Sequence, residues 1–196
     1  MKKLVLVILV FLCSPKVAQS QHMSGIASKW SDSFVAWEIF GLENVSEDST
    51  EAQWEEFTMG SLQQRWLDVR EDWTEWDFSL FEREGTIKIK WKTDPSQWEL
   101  RTFDGSIITM KTVWRDDFTE WRVTDGTVSL DFKSRYTSDL GEWFAKDREG
   151  NRFAVTVTYP NDPRDWTITD ELPESVSAEM KLAMVFVVLY HATPHR

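Results

Sequence analysis

Six tryptophans recur at a near-constant interval. Trp54, Trp76, Trp98, Trp121, Trp143 and Trp166 are spaced 22, 22, 23, 22 and 23 residues apart. A fixed period of this size marks a supersecondary unit repeated along the chain. The unit opens with Trp and a short alternating run, as in Trp76-Asp-Phe78-Ser-Leu80 or Trp121-Arg-Val123. Asp104-Gly105 and Asp125-Gly126 follow as turns, with Glu84-Gly85 and Glu149-Gly150 as variants. A second alternating run comes next: Ile87 to Trp91, Val128 to Phe132, Phe153 to Tyr159. Alternation with period two is a strand with one buried face. Asp-Gly between two such runs signals a hairpin, with positive φ in a type I′ turn.

Each unit therefore reads as a β-hairpin. Twelve strands are predicted, centred near Trp37, Glu56, Gln64, Phe78, Ile89, Leu100, Met110, Arg122, Leu130, Phe144, Val155 and Thr167. Residues 43–51 read as an acidic loop and residues 21–32 as a flexible N-terminus. The periodic rings share a face with Phe78, Leu80, Leu100 and Val123, which makes them core. Trp30 and Trp73 fall off the period and read as surface rings.

Consecutive hairpins make an up-and-down meander, and twelve open strands would leave edges that closure into a barrel removes. A barrel of that size is too wide for wall side chains to fill. The closing segment offers an occupant. After Pro173, Ser175 or Ser177 can cap a helix over residues 176–191, with Glu174 or Glu179 at its positive end and Pro194 just beyond it. Leu182 to Tyr190 is apolar on every side, as a buried helix is. Val185, Val187 and Val188 instead favour a strand, which would leave a hollow barrel able to carry an apolar ligand, as lipocalins do.

Two bounds come from the ends and the charge. Lys2 and Lys3, the nine-residue apolar run Leu4 to Leu12 and Ala18-Gln19-Ser20 have the plan of a secretory signal peptide over residues 1–20. Leu12 stands before Cys13 where a lipid-attachment motif wants a small residue, so no lipid anchor is expected. The chain from Gln21 onward has no cysteine, and one core must hold 176 residues. These features suit a bacterial periplasmic or extracellular protein. Without the leader, 19 basic face 33 acidic residues, a net charge of −14. Such a chain repels nucleic acid and anionic headgroups at long range.

The last 50 or so residues resemble the tubby-like superfamily, which includes the LURP-one-related proteins and the phospholipid scramblases. Leu172-Pro173, Met180-Lys181 and the apolar run Leu182 to Tyr190 are similar to the scramblase helix. Lys146-Asp-Arg-Glu-Gly150 through Val155 to Asp165-Trp-Thr-Ile168 is similar to the last LURP-one hairpin. The resemblance implies a twelve-stranded barrel wrapped around a hydrophobic C-terminal helix. The basic phosphoinositide pocket of tubby proteins has no counterpart here, nor do the cysteine cluster and calcium segment of the scramblases. It therefore implies the fold and no functional residue.

Catalytic chemistry is thinly supported. His22 sits in the N-terminal tail, and His191 and His195 read as solvated terminal histidines that make a poor metal site. No His stands by a nucleophile. Asp116, Asp117 and Glu120 in one loop, and Asp162 and Asp165 in another, are the acids a paired-carboxylate mechanism would use. With Trp73, the first three are the candidate surface-binding residues of a carbohydrate module. The leading expectation is a monomeric, non-enzymatic envelope module of residues 33–196. It needs no cofactor or metal, binds no nucleic acid, and has a lipid or another envelope component as its partner.

Overall fold

The computed structural model of the chain describes residues 22–44, 53–67 and 72–195; residues 1–21, with the leader, and 45–52, 68–71 and 196 lie outside it. The strands are β1 (Met23–Trp30), β2 (Ser33–Asn44), β3 (Trp54–Gln64), β4 (Glu75–Leu80), β5 (Arg83–Trp91) and β6 (Asp94–Thr102). They continue as β7 (Ile107–Thr112), β8 (Glu120–Thr124), β9 (Ser129–Tyr136), β10 (Asp139–Lys146), β11 (Arg152–Tyr159) and β12 (Asp162–Asp170), and the helix α1 (Ala178–Ala192) follows. Each strand pairs antiparallel with its successor, and β12 pairs with β1 through Ile26–Trp166, so the sheet closes.

Twelve strands about 4.8 Å apart and tilted 35–45° enclose a backbone cylinder about 24 Å wide. A helix with its side chains is 10–12 Å across. The gap left on each side is about 6 Å, one large side chain deep. The wall supplies that side chain. Trp37, Trp76, Trp98, Trp121, Trp143 and Trp166 lie one on each even-numbered strand, all buried. Ala178 to Leu189 is buried on every side of α1, and the wall rings and the helix form one cluster. Phe186 sits edge-on to Trp98 at 4.9 Å and to Trp76 at 5.8 Å, a favoured aromatic arrangement. The hollow alternative needed a strand where α1 stands.

The helix starts as expected of its cap. Ser177 accepts the Met180 N–H. Glu179 takes a hydrogen bond from Arg83 Nη1 at 2.5 Å. Lys181 Nζ reaches Asp170 Oδ2 at 2.8 Å, with both side chains almost fully buried. Asp170 also accepts the backbone N–H groups of Met23 and Leu172. One carboxylate thus ties the start of β1, the end of β12 and the first turn of α1.

The period needs one correction. Trp54 is 55% exposed at the start of β3, and Trp37 holds the sixth core position. What repeats is more than a ring. Asp72, Asp94, Asp117, Asp139 and Asp162 stand four residues before their tryptophans, with Ser33 in the first copy. Each Asp Oδ1 accepts the N–H two residues on, from Thr74, Ser96, Thr119, Gly141 and Arg164. In four hairpins the register shifts by a bulge between this turn and the Trp. Each indole N–H then caps the carbonyl three residues upstream, at Phe34, Trp73, Pro95, Phe118, Leu140 and Pro163, at 2.8–3.1 Å. A carbonyl in a bulged stretch lacks a ladder partner, and the core ring that fills the barrel also satisfies it.

Other expectations change as well. The flexible N-terminus is β1, whose period is broken by a bulge at Gly25. The centres at Glu56 and Gln64 belong to one strand, β3, bulged opposite Ile39/Phe40. The expected count of twelve equals the observed one because the omission of β1 offsets the division of β3. The Asp-Gly loops are not type I′: Gly105, Gly126 and Gly150 alone have positive φ, in loops of four or five residues. Gly85 is in β5, where a Cβ would stand 2.1 Å from the Arg101 carbonyl oxygen; the turn lies at Phe81-Glu82.

Trp143→Phe shrinks the buried ring and leaves the Leu140 carbonyl without its donor. We expect a loss of about 1–3 kcal/mol in urea unfolding. An unchanged midpoint would show that the indole N–H contributes nothing to stability.

Candidate functional site

The even strands all begin at one end of the barrel, and the odd strands all finish there. At that rim each odd strand finishes on, or is followed within two residues by, an aromatic residue. These are Trp30, Trp66, Trp91, Trp114, Tyr136 and Tyr159, each 45–62% exposed. Five of them stand seven residues before a core Trp; Trp66 stands ten before Trp76. Each lies two residues beyond an inward position of its strand (Ser28, Gln64, Ile89, Thr112, Ser134 or Val157), so it continues an inward row past the packed interior. Trp30, Trp91, Tyr136 and Tyr159 sit directly across from Ser33, Asp94, Asp139 and Asp162. The unit is therefore aromatic-x-x-Asp-apolar-x-x-Trp, with one ring outside and one inside.

Two open grooves lie between neighbouring rim hairpins. One, of about 590 Å³, is lined by Ser31, Asp32, Asn161, Asp162 and Arg164, and Arg164 Nη1 bonds the Ser31 carbonyl across it. The other, of about 560 Å³, runs between Asp94 and Arg115 and includes Asp116.

The predicted site residues separate here. Asp116 is at the groove edge with its side chain 88% exposed. Asp117 is the turn aspartate of its unit, and the Thr119 hydroxyl, then its backbone N–H, hold its carboxyl below the usual range. Glu120 accepts the Trp114 indole N–H at 2.9 Å. Trp73 is not a surface ring: only 9% exposed, it packs on Trp76 and stacks on His195 at 4.6 Å. It occupies the apolar position of its unit, which turns into the barrel mouth. Trp30 is exposed. Asp162 pairs with Arg164, whose hydrogen bond lowers its carboxyl. A general acid needs a raised carboxyl; Asp72, Asp94, Asp117 and Asp162 all shift downward. Among the described residues no three His, Cys, Asp or Glu converge as a metal set.

The terminal histidines are also corrected. His191 is half-buried against Phe118 and Trp121, at 5.1 and 5.2 Å, and its buried Nε2 has no partner among the described residues. Burial, then the nearby His195, lowers its pKa to about 4. The period of the core tryptophans does not by itself reveal the outer ring. Its signal, an aromatic seven residues before a Trp, is visible once the inner ring is known. No protein-family model, curated protein or solved structure matches this chain.

His191 makes a pH prediction with a definite sign. Its folded pKa lies below the unfolded 6.5, so the unfolded chain takes up the proton first and stability falls as pH drops from 6.5 toward 4. The full effect is roughly 3 kcal/mol. Urea titrations should show that slope in the parent and a flatter one in His191→Phe. Identical slopes would remove His191 as the cause.

Proposed function

We propose that this protein is an exported, non-catalytic binding module that meets its target with the aromatic rim of a filled barrel. The observation that carries this is the outer ring: six half-exposed Trp and Tyr side chains, one per odd strand, at one end. Exposed apolar surface of that kind on one face of a monomer marks an interaction site. Six rings about half exposed present roughly 450–750 Å², at the upper end of the usual largest patch or beyond it. Trp, Tyr and Arg are also the residues that dominate binding energy at interfaces.

The interior supports the same reading, because α1 and the inward rings pack as one core cluster along the axis where a carried ligand would sit. The loop acids are turned to structural work, which argues against hydrolysis at the rim. Export rests on the leader of residues 1–20. The tubby-like relationship belongs to this proposal too: twelve antiparallel strands closed around an apolar C-terminal helix is the architecture which that resemblance implies.

Co-sedimentation with isolated cell envelopes tests the reading. The parent protein should bind, and Trp30→Ser with Tyr159→Ser should weaken binding about thirtyfold, some 2 kcal/mol. Trp54→Ser, at the opposite rim, should bind as the parent does. Equal binding by all three proteins would count decisively against the rim.

A further inference from the structure

We infer that the outer ring docks the protein on the headgroup layer of a lipid bilayer. The inference rests on the rim being the binding surface and adds the chemistry of its partner. Neighbouring odd strands end about 12 Å apart around a circle about 24 Å wide. A small ligand or one extended chain reaches one or two of these rings. A planar partner reaches all six.

The residues beside the rings fit that plane. Lys29 precedes Trp30, Arg65 precedes Trp66, Lys92 follows Trp91, Arg115 follows Trp114 and Arg135 precedes Tyr136. The Arg65 and Arg135 guanidiniums each lie 5.6 Å from the centroid of the adjacent ring. Trp and Tyr settle at the membrane–water boundary, where the ring meets acyl chains and the N–H or O–H meets carbonyl and phosphate oxygen. Lys and Arg beside them extend to the phosphates.

The charge is placed to permit this. The chain as a whole is acidic, yet exposed Glu55, Glu56, Glu82, Glu84, Glu171 and Glu174 all belong to the opposite end. The rim carries acids of its own, with Asp32 and Asp116 exposed and the turn aspartates held on backbone N–H groups, but they are interleaved with cations, and Arg65, Arg115 and Arg135 pair with Glu75, Asp116 and Glu142. The long-range repulsion expected from composition is therefore strongest at the far end.

Docking is adsorption and not insertion. The outward rows of the barrel carry Asp77, Lys88, Arg101, Lys111, Arg122 and Asp131, all exposed, the reverse of a membrane-spanning barrel. Among the described residues no helix is long and apolar enough to cross a bilayer. The rings enter only the boundary layer, 5–10 Å deep.

The test is sedimentation of the intact protein with vesicles of phosphatidylcholine alone and of phosphatidylcholine mixed with phosphatidylglycerol. Both should bind the protein, because the rings and not the net charge carry the contact. Trp91→Ser with Trp114→Ser should weaken partition at least about tenfold; Trp54→Ser with Phe103→Ser should leave it unchanged. Brominated lipid should quench the parent's tryptophan fluorescence, which keeps the test open should a variant fold poorly. No partition into either vesicle, or partition indifferent to the ring, overturns the inference. So does a ring-dependent dimer in light scattering. Failure with vesicles alongside ring-dependent binding to whole envelopes removes the lipid and leaves the rim, with a wall polysaccharide or an envelope protein as occupant. Failure of both removes the rim as well.

Discussion

A twelve-strand barrel encloses more space than its own side chains can fill, and everything else in this structure follows from how that space is closed. α1 is about 22 Å long at 1.5 Å per residue, close to the height of tilted strands of about eight residues. It fills the axis, and one indole per hairpin fills the annulus around it. A smaller ring would leave voids at both surfaces, each with the cost of a core cavity. The helix must also enter from the correct end. The Asp170 carboxylate settles this by joining β1, β12 and Lys181 at the seam where the barrel closes.

The repeated unit couples this packing to the surface. Its aspartate makes the turn, the bulge re-aims the strand, and the indole caps the bulged stretch from inside. The outer ring is held two residues beyond the interior by the same geometry. Structure and candidate function thus share one short segment used six times. The second copy, in which Trp66 stands ten residues before Trp76, changes the spacing but not the indole–carbonyl bond.

Much of this is legible in the chain. Trp76, Trp98, Trp121, Trp143 and Trp166 announce the even strands, and the apolar run after Pro173 announces the occupant. Bulges hide the rest, because they break the period that sequence reading depends on. Gly25 masks β1, and the shift opposite Ile39/Phe40 makes β3 read as two strands. Trp54 shows the converse error: the right spacing on a residue without the aspartate four positions earlier. Trp73 reads as a surface ring because its neighbour Trp76 already takes the core position; nothing local says that the apolar member of the unit turns inward too. The placement of charge could not be seen at all, since a net value carries no direction.

The central claim is that the C-terminal helix is the second half of the core. Burying its large apolar side chains from Met180 to Leu189 contributes roughly 10–20 kcal/mol before ordering costs, as large as the whole net stability of a typical domain. The direct measurement is the urea unfolding of a chain ending at Pro173, followed by circular dichroism. The account predicts no cooperative transition and no stable β signal. A soluble truncate that unfolds cooperatively would show that the barrel stands without its helix, and would contradict the account at its base.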